Sequence, residues 1–368
     1  MLRINSRILI ELLLSAVAFS FGAQAVLATT TYIVGTCKTG TTFSTIQDAL
    51  NASPSPNIVE VCPGTYNEQV KITKAVTLEG FAGSGSDQAI IAVPSGGLAI
   101  NTTDDQGRNI GAQVWVEDVA GVDISNLVID GTGNNLSGGD EYIVGIFYQN
   151  SAGTVNHVVT RNQFNSGNGI GIELEGGSSH PSVTVENCSL HDFDSTGVFT
   201  QTNSTSSELT AKLEGTLIAI SDSAPSSIPA VILDPGSTVT ASDNYIKAGN
   251  GYGFFLQGAA GSVTSNTVVG GLAGAYVLAD GAISFNSNKV LDSATYAIYI
   301  DAPTTLTEMQ GNTLTKGITG IEFNCNSTNS KVRSNTIMDF TTGVDQLPSG
   351  ATSANTYFNV STETTTCK

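Results

Sequence analysis

Short runs of alternating apolar and polar residues recur from Ile58 to about Asp345, and they come in groups of three. The stretch 183–201, VTVENCSLHDFDSTGVFTQ, shows one whole group: a run ending in Asn, a second run, a polar turn, and a small residue leading a third run. Alternation with period two is the signature of a strand. The linkers are too short for a helix, so three runs read as three strands of one coil. The marker asparagines are Asn126, Asn162, Asn187, Asn244, Asn266, Asn288, Asn312 and Asn335, the last five spaced 22, 22, 24 and 23 residues apart. A repeat of that length means stacked coils, each burying its inward residues on the next. An Asn at a fixed corner tolerates the left-handed conformation and carries both a donor and an acceptor, so the eight are expected to bond along the stack and not to catalyse.

The fold class that follows is all-β: a single-stranded, right-handed parallel β-helix with three strands per coil, about ten coils and an N-terminal capping helix. The helix is expected in FSTIQDALNAS (43–53), with Ser44 and Gln47 as a capping box and Ile46, Ala49 and Leu50 facing the stack. Residues 31–80 then form the cap and first coil, 81–346 the β-helix and 347–368 a closing segment. The segment TIQDALNASPSPNIVEVCPGTYNEQVKITKAVTLEG (45–80) resembles the opening of pectin-lyase-like β-helix proteins, among them pectin methylesterases and NosD-type repeat proteins. The resemblance implies the same fold, and an active site on the third-strand sheet between the loops at its borders. It implies no one activity. The methylesterase DFIFG context is missing, GIFYQNSAG (145–153) being a faint echo, and the polygalacturonase GHG and RIK motifs are absent.

The third run repeats most cleanly, so its faces can be counted. With Gly145, Gly171, Gly197, Ala230, Gly253, Gly274, Ala297, Gly320 and Gly343 as origin, the next residue is apolar throughout and faces in. Two after the origin come Phe147, Glu173, Phe199, Ile232, Phe255, Tyr276, Tyr299, Glu322 and Asp345, which face out. Four after it, on the same face, come Gln149, Glu175, Gln201, Asp234, Gln257, Leu278, Asp301, Asn324 and Leu347. Rings beside amides and acids suit a sugar chain, whose apolar faces stack while its hydroxyls take polar partners. Gln149, Phe199, Gln201, Phe255, Gln257, Tyr276, Tyr299 and Asp301 are the candidate substrate-binding residues. The row Phe199, Phe255, Tyr276 and Tyr299 is expected to lie exposed. Alternatively, a long loop or a second copy of the chain covers the strip, because exposed apolar stripes also mark interfaces.

Chemistry enters through the acids. Glu175 and Asp234 stand two coils apart in one outward column, about 10 Å between backbones, and could serve as acid and base of an inverting glycosidase. Glu173 is expected to raise the pKa of Glu175 by like-charge repulsion. The other reading is an acidic strip that only binds. Neither outward column contains Lys, Arg or His, which disfavours proton abstraction and elimination.

Composition narrows the partners. The net charge of −18 excludes nucleic acid and disfavours polyanions unless cations bridge them. Residues 1–25 carry Arg3 and Arg7, an apolar run and Ala23-Gln24-Ala25, the pattern of a cleaved export leader, so the product is expected to be secreted or periplasmic, with no later span across a membrane. The five cysteines fit export: position pairs Cys37 with Cys62 and Cys325 with Cys367 at the two ends of the stack, leaving Cys188 buried and reduced. Two polar loops, 96–109 and 131–141, break the rhythm, and Asp104, Asp105, Asp140 and Glu141 in them offer oxygen ligands for Ca²⁺ or are simply solvated. No cofactor is otherwise implied, and no histidine spacing suggests a metal site.

Overall fold

The computed structural model describes residues 29–81, 88–202, 208–221, 227–279, 281–301, 308–325 and 331–367. The leader expected over 1–25 lies outside them. The described chain winds into a right-handed parallel β-helix, the hand that parallel crossovers adopt. Its first sheet runs from Thr31–Val34 through Ile58–Val61, Val76–Gly80 and Ala120–Ser125, each strand pairing in parallel with its counterpart one coil on. The second runs from Gly64–Asn67 through Ala89–Ala92, Leu127–Asp130 and Val159–Gln163.

The third sheet positions the site. It begins at Val70–Ile72 and adds Asn109–Glu117, Glu141–Gln149, Gly169–Glu175, Thr196–Gln201, Pro229–Leu233, Tyr252–Gln257, Ala273–Ala279 and Tyr296–Ile300. Residues 319–323 and 342–347 continue it, and Thr362–Thr366 closes it. That makes twelve rungs among the described residues, against the ten or so expected. Each residue after the small one, from Ile146 and Ile172 to Ile321 and Val344, is buried in the central core. The origin is small for a steric reason. A Cβ on Gly145 would lie 2.6 Å from the Gly171 carbonyl oxygen, and one on Gly253 would lie 2.4 Å from that of Gly274.

The cap differs in detail. The helix spans Ile46–Asn51, its N-cap is Thr45, whose hydroxyl accepts the Asp48 N–H at 3.1 Å, and the free N–H groups of Ile46 and Gln47 donate to the Glu68 carboxylate. A carboxylate from the next coil therefore replaces the predicted box, and the Gln47 side chain instead bonds the backbone of Lys71.

The asparagine ladder is shorter than predicted. Asn244, Asn266, Asn288, Asn312, Asn335 and Asn355 form it, each of the first five donating its amide to the next side chain at 2.8 to 3.3 Å and to a backbone carbonyl below. Asn126 and Asn187 stand one place earlier, at the left-handed residue (φ 56 and 54) that Ser265 and Ser287 occupy further on. Asn162 belongs to the second sheet. One coil before Asn244 the ladder place is held by Thr216, whose N–H donates to Asn244 and whose hydroxyl accepts the N–H of Cys188. Cys188 thus fills a ladder place itself, free and buried, while Cys37–Cys62 and Cys325–Cys367 are disulfides as their positions predict.

Two places in the outward columns also slip. A bulge pairs Gln257 with Ala279 and not Leu278, and a second irregularity turns Leu347 into the core.

Candidate functional site

In several strands of the third sheet the residue before the small one lies beside the residue two after it: Val144 and Ile170 cluster with Phe147 and Phe199, and Tyr252 and Tyr296 meet Phe255 and Tyr299, so the strand bends there. In the first rungs this gives a second apolar cluster outside the helix core: Ile110, Ala112, Trp115, Val144, Phe147, Ile170 and Phe199, with Tyr142 and Ile232 at its edge. A loop lies over it. Thr102 and Thr103 pair antiparallel with Ile110 and Asn109, which folds residues 101–108 back across the sheet. The covered reading therefore holds for this half of the strip.

Arg108 anchors the loop. Its guanidinium lies over the rings of Tyr142 and Phe199, 4.7 and 5.0 Å from their centroids. It donates to Glu173 at 3.0 Å and Gln201 at 2.8 Å, and its Nε is paired with Asp104. Asp104 also accepts the N–H groups of Gln106 and Arg108, closing the turn. The Asp105 N–H donates to Glu175 at 2.9 Å. Gln149 donates to Thr103 O and to Glu175, and accepts from Thr102 and the Trp115 indole. Gln201 donates to the other Glu175 oxygen at 3.3 Å. Counting placed Gln149, Glu173, Glu175 and Gln201 on one face; the loop binds all four.

Burial dominates the electrostatics. Glu173 is 0% exposed and desolvation raises its pKa to about 8, although Arg108 opposes the rise. Glu175, 6% exposed, is raised to about 7 by burial, with hydrogen bonds from Gln149, Asp105 and Gln201 opposing and the Asp105 charge adding to it. Like-charge repulsion from Asp105 adds to the rise at Glu175, and the repulsion between Glu173 and Glu175 shows at Glu173, which also holds Arg108. Asp234, 7% exposed, is raised to about 6 by burial against the pull of Arg108. One oxygen of Glu173, one of Asp234 and both of Asp105 are buried without a hydrogen-bond partner. Glu175 and Asp105 line a polar cleft of about 500 Å³ together with Glu117, Asp118 and Asn150.

Further along, the face is half-open. Phe255 stacks on Tyr276 at 5.1 Å, Tyr276 meets Tyr299 at 5.1 Å, and Tyr252 and Tyr296 flank them from the position before the bend. Asp301 accepts the hydroxyls of Tyr276 at 2.7 Å and Tyr299 at 3.4 Å. Phe199 is not part of this row: at 5% exposed it is sealed beneath Arg108, and Ile232 separates it from Phe255.

Sequence reasoning missed Arg108, Tyr252 and Tyr296. The tyrosines carry a signal, both standing just before a small residue, but reading it requires knowing that the strand bends there. Arg108 lies 65 residues from Glu173, and no period links them. As for Ca²⁺, Asp104 is spent on Arg108, and Glu141 accepts the N–H groups of Ser137 and Gly138 in its own loop. Among the described residues no three His, Cys, Asp or Glu side chains are grouped to hold a metal ion.

Residues 111–290 and 229–362 match the family described as the right handed beta helix region. The chain belongs to the right-handed β-helix family. No curated protein sequence matches it. Solved structures similar to this β-helix include the GH136 lacto-N-biosidase from Eubacterium ramulus, with a TM-score of 0.62 and 8% identity over 89% of this chain and 67% of that one. An alginate lyase from Paenibacillus sp. gives 0.51 and 11% over 90% and 99%. The A-module of the mannuronan C-5 epimerase AlgE4 from Azotobacter vinelandii gives 0.50 and 15% over 84% and 94%. At such identities the likeness is one of fold.

Proposed function

We propose that this β-helix is an exported protein that binds a polysaccharide along the outer face of its third sheet and hydrolyses it at the carboxyl cluster under the 101–108 loop. The observation that carries the reading is the continuity of the face: a row of half-buried rings leads, rung by rung, to buried carboxyl groups held near neutral pKa. Rings take the apolar faces of sugars, and Gln257, Asp301 and Asn324 beside them suit hydroxyls. The names of the similar structures, a biosidase, a lyase and an epimerase, agree with a carbohydrate partner. Disulfides at both ends agree with export.

Environment sorts the two carboxyls into roles. Glu175, the more weakly acidic and open to the cleft, is protonated in about half of the molecules at neutral pH, and that form donates the proton to the leaving oxygen. Asp234 ionises first and, with an oxygen left unpartnered, accepts a proton from water. Two rungs separate them, about 10 Å at the backbone, which suits the roughly 6.5 to 9.5 Å between carboxyls of an inverting hydrolase. Arg108 does reach this face, but Glu173 and Asp104 hold it protonated despite its burial, so it is no base and elimination stays disfavoured.

The test is a panel of neutral and charged polysaccharides scored separately for binding and for new reducing ends. Glu175→Gln and Asp234→Asn should each abolish hydrolysis of a glycan they still bind. Hydrolysis surviving in either variant, or absent from the parent on every glycan, removes the catalytic half; a panel with no binder removes both halves.

A further inference from the structure

The half-open end of the same face has a charge character that bears on which polysaccharide it takes. The second residue after each small one runs Phe255, Tyr276, Tyr299, Glu322, Asp345 on consecutive, directly paired rungs. Three rings are thus followed without a break by two carboxylates. Glu322 and Asp345 face one another across adjacent parallel strands, an arrangement that repels, and burial, with the Asp345 charge second, raises the pKa of Glu322. Asp301 lies beside the rings and is kept ionised by the hydrogen bond from Tyr276 and a further one from Asn324. The third-sheet segments 252–257, 273–279, 296–300, 319–323 and 342–347 contain no Lys, Arg or His. Among the described residues no cation of the chain pairs with Asp301, Glu322 or Asp345. The face therefore shows ring surfaces and three carboxylates without a counter-charge of its own.

We infer that the ligand of this face is a cationic polysaccharide, a chain of amino sugars with free, protonated amines; the inference rests on the polysaccharide reading above. An ammonium group within about 6 Å of a tyrosine or phenylalanine face is attracted by the ring quadrupole, and it completes a charge-assisted hydrogen bond with a carboxylate. The rings Tyr252, Phe255, Tyr276, Tyr296 and Tyr299 supply the first, and Asp301, Glu322 and Asp345 the second. A neutral glycan would leave the carboxylate pair unneutralised, and a polyuronate would meet both that pair and a molecule of net charge −18. The same net charge draws a polycation to the surface.

Calorimetric titration of the whole protein with a β-1,4-glucosamine hexamer, its fully N-acetylated counterpart and polygalacturonate tests this. The glucosamine hexamer should bind about tenfold or more tightly than the acetylated one, the gain of one or two ammonium contacts, and added salt should narrow the gap. The double variant Glu322→Gln, Asp345→Asn should lose most of that preference while its affinity for the acetylated hexamer stays unchanged. Tyr276→Ala should weaken both hexamers. Equal or tighter binding of the acetylated hexamer or of polygalacturonate overturns the cationic inference and leaves the polysaccharide reading standing. Failure of the glucosamine hexamer to bind, while another glycan of the wider panel does, has the same effect. If no glycan binds at all, both fall.

Discussion

Asp234 is more costly to bury than the fold requires. Its side chain is almost fully covered, one oxygen has no partner, and burial lifts its pKa from 3.8 to about 6. A carboxyl whose folded pKa is raised binds more protons folded than unfolded between those two values, so stability falls as pH rises from about 4 to 6 and the cost is fully present above that. Asp234→Asn should therefore raise stability by about 2 kcal/mol at pH 8, with the gain fading toward pH 4, as read from urea denaturation at the two pH values. The same variant is the one expected to lose hydrolysis. A substitution that stabilises and inactivates together marks a group kept for its chemistry. Counting along the strands put Glu175, Gln201 and Asp234 in one column, because alternation is local and needs no knowledge of the fold. Their burial was not legible. It depends on residues 101–108, which reach the column from outside the repeat, and so the pKa values and the fate of Phe199 were hidden with it.

At the scale of elements, that loop is a latch whose charged bolt is Arg108, with the bonds from Asp105 to Glu175 and between Gln149 and Thr103 beside it. Arg108 joins Asp104 within the loop to Glu173 and Gln201 on the sheet and roofs Tyr142 and Phe199. Removing it leaves a fully buried Glu173 without its charge partner, a change that costs several kcal/mol when the charge cannot leave. Because Glu173 already titrates near 8, it can escape by taking a proton. Arg108→Ala should thus cost about 3 kcal/mol at pH 9, less at pH 6, and open residues 101–108 to proteolysis. Arg108→Ala with Glu173→Gln should regain most of the stability but not the protection, since the loop still lacks its anchor. Equal losses in single and double variants would mean that the ring contacts, and not the ion pair, hold the loop. The asparagine ladder shows the opposite case of legibility. Its period was plain, yet Asn126 and Asn187 were assigned to the wrong place, because in both the left-handed turn residue and its ladder neighbour suit Asn equally well. Only the hydrogen bonds of Asn244 to Asn355 separate the two positions.

For the described stack as a whole the weak points are its first and last coils. A stack of coils is stabilised by neighbours on both sides, and a terminal coil has only one. The helix Ile46–Asn51 covers the first coil, whereas Thr352–Phe358 and Thr362–Thr366 pair on one side only in the described chain. Each end has one disulfide, closing 25 residues at the cap and 42 at the tail. By the entropy of loop closure these contribute about 3.5 and about 4 kcal/mol against the unfolded chain. Because each acts at its own end, reduction should not melt the molecule in one step. Hydrogen exchange after reduction should quicken at residues 31–72 and 331–367 while the ladder amides Asn266, Asn288 and Asn312 keep their protection. Cys188 supplies the internal control. It is free, buried between coils, and raised by burial to a pKa of about 11. The unreduced protein should therefore release one titratable thiol, and only after denaturation; uniform exchange on reduction would show that the coils unfold as one unit and that the staples act on all of it.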